Sequence, residues 1–201
     1  MSCGLAGPPD STPVSAAPRP AFPPVIPLEG RPAAMTSPPS PSPAPADDTL
    51  AAALGRIPSG LFVVTWREAD GDRTMLASWV TQAGFAPPAV SIAVAPSRDL
   101  LAALDRGASF VVNILGESQR GLLSRFGRPP APGEAALEGV EVERTAAGNA
   151  VLPGSSGWLE CRGVSRAAGG DHVVVVAEVV AGGAGPAGQP LVHVRKNGYR
   201  Y

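Results

Sequence analysis

The sequence is poor in the residues that build metal sites, disulfide frameworks and self-sufficient catalytic sets. Its 201 residues include two cysteines and two histidines, at spacings that suit neither a metal site nor a disulfide framework. No Gly-x-Ser-x-Gly and no P-loop is present, and no glycine-rich dinucleotide fingerprint joins a strand to a helix. These absences argue against a metal centre, a serine nucleophile, and Walker-type or Rossmann nucleotide binding.

The sequence also lacks a dominant charge and a long apolar run. Sixteen basic residues oppose 17 acidic ones, and the basic residues are spread along the chain, so nucleic acid is not an expected partner. The longest apolar segment, 173–182, is interrupted by Glu178 and is far shorter than the ~18 residues of a membrane span. Residues 1–46 contain neither the basic start nor the uninterrupted apolar run of a secretory signal, so we do not expect one there. We therefore predict a cytoplasmic protein without a membrane partner, in which Cys161 is a small core residue.

Proline is abundant, and it is concentrated in one segment. Fourteen of the 24 prolines precede residue 46, in a stretch rich in alanine and serine. Residues 1–46 are therefore predicted to be a disordered or polyproline-like tail, with a proline-motif ligand as the alternative and Met35 as an alternative start. Residues 47–201 are long enough to form one domain with one core.

The pattern in residues 47–201 predicts about seven strands with two or three short helices. Helices are expected at 47–57, at 96–107 with Ser97 as its cap, and at 117–127. Strand candidates are 60–67, 74–80, 89–95, 109–115, 139–144, 158–166, 172–182 and 190–195. Because the strands are not separated by regular helical crossovers, the hairpin spacing favours an antiparallel Greek-key barrel.

Small polar residues are concentrated between residues 77 and 98. Side chains there that can donate to a phosphate, a sugar or a ring edge are Ser78, Thr81, Gln82, Ser97 and Arg98. The start of the helix at 96–107 adds unpaired backbone amides, which bind anions. In a barrel short of catalytic side chains, this pattern favours a bound cofactor that carries the reactivity. Exposed strand positions and helix caps remain the alternative explanation of the hydroxyl residues.

Four segments of the chain form a specific combination of motifs: IPSGLFVVT (57–65), MLASWVTQAGFAPPAVSIAVA (75–95), SFVVNIL (109–115) and LECRGVSRAAGGDHVVVVAEVVAGG (159–183). Together with the C-terminal ending, these segments resemble the flavin reductase-like family of FMN-binding split barrels. The ending VHVRKNGYRY (192–201) is similar to the ending of the flavin reductase module in diflavin flavoproteins. The resemblance covers residues 48–201 and implies a mainly β, antiparallel Greek-key split barrel. The diiron and flavodoxin parts of a diflavin flavoprotein are not in this sequence, so we expect a free-standing reductase or an electron-passing subunit.

The resemblance also implies which residues hold the flavin. The cofactor-binding residues implied by it are Leu76, Ala77, Ser78, Trp79, Val80, Gln82, Ala83, Ala95, Pro96, Ser97, Arg98 and Asn113. Pro96 departs from the family, because that module usually has a polar residue there and proline has no backbone N–H to donate. His172 is implied as the catalytic residue that positions the hydride donor and the flavin, with a plain turn residue as the alternative.

The function that the resemblance implies is an NAD(P)H:flavin oxidoreductase. The cofactor is FMN, with FAD as the alternative flavin and NAD(P)H as the co-substrate. Hydride transfer needs two rings stacked at about 3–3.5 Å, so positioning supplies most of the catalysis. The expected partners are a partner oxygenase or electron-acceptor protein and a second copy in a homodimer. Two alternatives remain: a non-catalytic flavin-binding or electron-carrier protein, and an interaction module that recruits partners through its proline-rich tail.

Overall fold

The secondary structure is mostly strand. The structure is a computed structural model, and it describes residues 48–128, 134–186 and 188–199. The helices in these ranges are α1 (Asp48–Gly55), α2 (Asp99–Asp105) and α3 (Leu122–Phe126), with a 3-10 turn at Glu117–Gln119. The strands are β1 (Ser59–Gly60), β2 (Phe62–Glu68), β3 (Gly71–Ala77), β4 (Val80–Phe85), β5 (Pro88–Val94), β6 (Ser109–Ile114), β7 (Glu143–Arg144), β8 (Ala150–Val151), β9 (Gly157–Gly169), β10 (His172–Ala184) and β11 (Val192–His193).

A two-residue connection forces the main sheet to roll up. Seven strands pair antiparallel in the order β3-β2-β6-β9-β10-β5-β4, so β3 and β4 are its two edges. Only Ser78 and Trp79 separate these edge strands in the chain. A flat sheet of this width would hold its edges nearly 30 Å apart at about 4.8 Å per strand, whereas three Cα steps span at most about 11 Å. The sheet therefore curls into a barrel, and it is split because the described residues contain no ladder between β3 and β4.

Strand β2 is buried on both faces, which explains its continuous apolar run. Phe62, Val64 and Trp66 point into the core that the rolled sheet encloses. Leu61 and Val63 point the other way, into a second cluster that α3 helps to cover. Because successive side chains of a strand alternate between its faces, burial of both faces removes the usual polar positions. The mainly β, antiparallel split barrel predicted from the sequence is confirmed.

The C-terminal segment closes against α1. Strand β11 pairs with β1, and the Arg195 N–H donates to the Gly55 carbonyl at 3.0 Å. The Gly198 N–H donates to the carbonyl of Ala51 at 2.7 Å. A Cβ atom on Gly55 would lie 2.6 Å from the Arg195 carbonyl oxygen, so this close approach requires glycine.

Several predicted elements differ from the observed ones. The predicted strand at 74–80 is wrong in its extent, because it ends at Ala77 and a new strand, β4, begins at Val80 on the opposite edge of the sheet. The predicted cap of α2 is also wrong. The N-cap residue is Arg98, which has no side-chain capping bond, and its N–H donates to the Ala95 carbonyl at 3.0 Å, so Ser97 lies inside a turn.

Other differences are of length and continuity. The predicted helix at 117–127 is divided into the 3-10 turn and α3, and the short strand β8 was not predicted. The prediction of a tail at 1–46 lies outside the described residues. The prediction for Cys161 is confirmed: it is buried in the barrel core, and burial raises the pKa of its thiol to about 12. Within the described part of the chain, no helix has the length and apolarity to cross a membrane.

Candidate functional site

A cleft of about 260 Å³ opens at the split of the barrel, where β3 passes into β4. The end of β5, the start of β10 and the end of α3 complete its walls. The lining residues are Thr74, Met75, Leu76, Ala77, Ser78, Trp79, Ala93, Val94, Ala95, Arg98, Phe126, Gly127, Arg128 and His172. Small and apolar walls thus meet a few polar groups, which is the usual composition of a small-molecule site.

One wall of the cleft carries an unsatisfied buried hydroxyl. Ser78 is 7% exposed, and its Oγ has no hydrogen-bond partner among the described residues. A buried polar group without a partner destabilises the fold by roughly 1–3 kcal/mol. Because Ser78 lines the cleft, a polar atom of a bound ligand would satisfy this hydroxyl.

Two guanidinium groups give the cleft positive charge. Arg98 precedes α2 and Arg128 follows α3, and both line the cleft. The guanidinium of Arg128 also lies 3.8 Å from the carboxylate of Glu134. Two arginines at one cleft suit a phosphate, because the planar guanidinium donates two parallel hydrogen bonds to it.

An oriented histidine stands at the start of β10. The Nδ1 atom of His172 lies 2.9 Å from the Asp171 carboxylate, and this hydrogen bond holds the pKa of Asp171 below its ordinary value. The other ring nitrogen, Nε2, has no hydrogen-bond partner among the residues the structure describes. The imidazole also contacts the Trp79 ring, with centroids 4.8 Å apart and planes tilted by 58°. His172 is therefore fixed in orientation while one nitrogen stays available to a ligand.

The profile of the flavin reductase like domain matches residues 54–201. The chain belongs to the flavin reductase-like family of oxidoreductases. Diflavin flavoprotein A 1 of Synechocystis sp. is 36% identical over 157 residues, which are 77% of this chain and 27% of that protein. A second diflavin-type relative from the same organism is 40% identical over 150 residues, 74% of this chain and 25% of its own length. The chain thus spans about a quarter of the length of these curated relatives.

Solved structures of flavin reductase-like proteins share the fold. The NADH:FAD oxidoreductase SgcE6 of Streptomyces globisporus C-1027 is 26% identical with a TM-score of 0.66, over 71% of this chain and 85% of that one. The styrene monooxygenase flavin reductase of Pseudomonas putida S12 is 27% identical with a TM-score of 0.61, over 71% and 90% of the two chains. Both likenesses extend over most of the described barrel.

The structure brings half of the predicted flavin-reductase site together. Of the predicted cofactor-binding residues, those that line the cleft are Leu76, Ala77, Ser78, Trp79, Ala95 and Arg98. His172, the predicted catalytic residue, lines the same cleft although it is almost a hundred positions away in the chain. It reaches the cleft because β10 pairs directly with β5, which places Val173 opposite Val94.

The other predicted residues lie elsewhere. Val80 and Gln82 line a second, apolar cleft of about 370 Å³, and Ala83 is exposed on β4. Pro96 and Ser97 are exposed in the turn before α2 and are outside the lining of the first cleft. The chain leaves the first cleft after Trp79, where β4 begins. Residues of the motif at 75–95 therefore line two different clefts.

Asn113 is a core residue with a full set of partners. It is 0% exposed, and its Nδ2 donates to the Val63 carbonyl at 3.0 Å. Its Oδ1 accepts a hydrogen bond from the Leu152 N–H at 2.8 Å. The side chain thereby joins β2, β6 and the segment after β8 beneath the barrel, and it does not line the cleft.

Sequence reasoning missed the contribution of α3. Phe126, Gly127 and Arg128 line the cleft, although none of them was among the predicted site residues. A Cβ on Gly127 would lie 2.7 Å from the Leu123 carbonyl oxygen and 3.9 Å from Leu76, so glycine is needed beside the wall. In the sequence, the only feature that marks this segment is a glycine at the end of a predicted helix followed by an arginine. That feature does not show that the segment reaches the cleft, because this depends on how α3 packs on β3.

Proposed function

We propose that this chain is an NAD(P)H:flavin oxidoreductase that binds FMN in the cleft and passes its electrons to an acceptor. The observation that carries the proposal is the buried hydroxyl of Ser78, which has no hydrogen-bond partner within the described ranges and lies in the same cleft as two arginines. Family membership supports the reaction class, and the flavin reductase names of the similar structures support the choice of substrates.

The lining of the cleft fits a flavin. Ala77, Ala93 and Gly127 are small and leave room for a flat ring, and Ser78 offers its hydroxyl to a polar ring edge. Arg98, which precedes α2, and Arg128, which follows α3, would hold the phosphate. A bound flavin supplies the hydride acceptor that no side chain of this protein offers.

His172 is proposed as the residue that positions the nicotinamide. Its Nδ1 contact with Asp171 fixes the ring, and Nε2 is left to meet a ligand in the cleft. An oriented donor or acceptor at this point restrains the nicotinamide amide, which aligns the two rings for hydride transfer. Replacement of His172 by alanine is expected to lower NAD(P)H turnover while flavin binding largely survives. Wild-type rates in that variant would assign His172 a structural role.

The test of the reaction is a spectrum followed by a titration. The purified protein is loaded with FMN or with FAD, freed of excess flavin, and titrated anaerobically with NADH or NADPH. Loss of the flavin absorbance during the titration is the expected result, and the four combinations rank the two flavins and the two nicotinamides. A tightly bound flavin that neither nicotinamide reduces would identify an electron carrier. If neither flavin binds and neither raises the melting temperature, flavin chemistry is refuted and an interaction module is favoured.

We further propose that the chain works as a cytoplasmic homodimer that delivers electrons to a partner oxygenase or an acceptor protein. The second cleft supports an interface, because it is lined mainly by apolar side chains that include Val80, Ile114 and Val179. Next to it, Phe85 is 87% exposed at the β4–β5 turn. Light scattering measures the mass directly. A monomeric wild-type protein would refute the proposed dimer and would leave the proposed reaction unaffected.

A further inference from the structure

Trp79 occupies an unusual position in the barrel. It lies in the two-residue connection between β3 and β4, where its carbonyl accepts a hydrogen bond from the Ala93 N–H at 3.0 Å. Two of its ring contacts are with residues distant in the chain: the centroid of the His172 imidazole lies 4.8 Å from that of the indole, and the guanidinium of Arg195 lies 4.9 Å from the indole centroid.

Arg195 reaches Trp79 from a firmly held backbone. Its N–H donates to the Gly55 carbonyl at 3.0 Å, and three residues later the Gly198 N–H donates to the Ala51 carbonyl at 2.7 Å. Glycine at both contact points allows the C-terminal segment to lie directly on α1. The guanidinium therefore extends over the indole from a base that two backbone hydrogen bonds fix in place.

We propose that Arg195 is a positioning residue that holds Trp79 against His172, so that the indole forms a fixed wall of the cleft beside the nicotinamide. This proposal rests on the flavin reductase function proposed above. A guanidinium over an indole face is attracted by the negative charge of the ring face, which favours one ring orientation. Trp79 and His172 line the cleft and Arg195 does not, so Arg195 acts through Trp79.

The position of this stack predicts a selective effect. Arg98 and Arg128 line the cleft from α2 and α3, whereas the stack joins the β3–β4 connection to the start of β10. Loss of Arg195 should therefore change the binding of the nicotinamide and leave the affinity for flavin nearly unchanged. A purely structural arginine would change neither of these or would change both together with the melting temperature.

The kinetic experiment compares R195M, R195K and the neighbouring charge removal K196M, with R195M also made in a W79A background. R195M is expected to raise the KM for NAD(P)H about tenfold, with a smaller change in kcat and a flavin Kd within about twofold of wild type. R195K should recover most of the loss because it keeps a cation, and K196M should match wild type. In the W79A background, R195M should not raise the KM for NAD(P)H further, because the indole through which Arg195 acts is absent.

A second readout does not depend on turnover. The fluorescence of Trp79 is obtained as the difference between the wild-type protein and W79F, and is measured again as the difference between R195M and the double variant R195M/W79F. In R195M the Trp79 emission should become more accessible to acrylamide and its anisotropy should decay faster, as expected for a ring that has lost its cation. In K196M the emission should be unchanged.

The outcomes separate this inference from the function on which it rests. An equal KM increase from R195M with and without Trp79, or unchanged KM together with unchanged emission, would overturn the positioning role. If the wild-type protein bleaches no flavin with either nicotinamide, the proposed function fails and the fluorescence decides the role of Arg195 alone. If R195M does not fold by circular dichroism, R195K takes its place, with an intermediate KM increase that must vanish in the W79A background.

Discussion

Two buried polar regions of this barrel differ in whether their hydrogen bonds are complete. Beneath β6 and β9, the buried carboxylate of Glu160 accepts hydrogen bonds from Thr145 Oγ1 at 2.9 Å and from Asn149 Nδ2 at 3.0 Å. Close by, all the polar atoms of the Asn113 amide group have partners within hydrogen-bonding distance. At the cleft, in contrast, the buried hydroxyl of Ser78 has no partner among the described residues.

Two features together distinguish Ser78 from the polar residues that build the fold: it lines the cleft, and its hydroxyl has no hydrogen-bond partner among the described residues. A satisfied buried network stabilises one arrangement of the strands that it joins. An unsatisfied hydroxyl destabilises the free protein slightly, and this loss is recovered when a ligand supplies the missing bond. Replacing residues in the first region should therefore change stability, and replacing residues in the second should change binding.

The largest effect is expected for Asn113→Ala. The change leaves the Leu152 N–H without its acceptor in the core and opens a cavity, so the free energy of unfolding should fall by about 3 kcal/mol. Urea denaturation measures the loss, and flavin affinity at low temperature should stay near that of wild type. The matched control is Asn197→Ala, whose Oδ1 accepts from the Tyr199 N–H in an exposed segment, and it should cost less than about 1 kcal/mol. A weaker flavin affinity in correctly folded Asn113→Ala protein would move Asn113 into the site.

The next effect is expected for Arg98→Ala, which should weaken flavin binding by about 1–3 kcal/mol through loss of a charge-assisted contact. Because Arg98 is exposed, the free energy of unfolding should change little. Fluorescence titration with FMN measures the affinity. Arg120→Ala removes an exposed arginine outside the cleft and serves as the control. Equal affinities in the two variants would contradict the assignment of the phosphate end.

Ser78→Ala should weaken flavin binding by about 1–2 kcal/mol without lowering stability, since the described part of the chain offers the lost hydroxyl no hydrogen-bond partner. Ser155→Ala is a close control, because Ser155 is also buried, its Oγ likewise has no partner among the described residues, and it does not line the cleft. Both variants should keep the free energy of unfolding or raise it slightly. Only the Ser78 variant should bind FMN less tightly, and unchanged binding there would show that the hydroxyl does not meet the flavin.

The smallest effect concerns surface charge, which belongs to neither buried region. The Arg144 guanidinium hydrogen-bonds the carboxylate of Asp72 and holds its pKa below the ordinary value of 3.8. A lowered folded-state pKa stabilises the fold above the ordinary pKa, and this contribution is lost as the pH falls through the folded-state pKa. Asp72→Asn should therefore cost about 0.5–1 kcal/mol at pH 7 and nothing in strong acid. Asp105→Asn, in a more exposed pair with Arg166, is the control; a deficit that persists in acid would exclude an ionic origin.

Much of the barrel could be predicted because strand signals are local. The segments around β2, β5, β6, β9 and β10 carry β-branched and apolar patterns, and all five strands are present. The break after Ala77 could not be predicted from the sequence, since residues 74–80 have the pattern of one strand. It exists because the chain must step from one edge of the sheet to the other within Ser78 and Trp79.

The residues of the candidate site could be predicted where they belong to one sequence motif. They could not be predicted where the packing of distant elements brings them to the cleft. Leu76, Ser78 and Arg98 were identified from the motif and its family resemblance, and they meet in one cleft. Gln82 belongs to the same quoted motif but follows β4 to the apolar cleft. Arg128 had no distinguishing local signal, and it joins the site only because α3 packs beside β3.

The sequence by itself determined the strand content, the family and the presence of a flavin-type motif, because residue periodicity and sequence motifs can be recognised without a structure. Only the tertiary structure decided which buried polar side chains have hydrogen-bond partners and which do not. Asn113 and Ser78 are both small buried polar residues on or beside strands, and nothing in their local sequence separates them. The partners of Asn113 lie 39 and 50 positions away in the chain, whereas the hydroxyl of Ser78 has no partner among the residues that the structure describes. Only the folded chain therefore distinguishes a residue that supports the barrel from one that is available to a ligand.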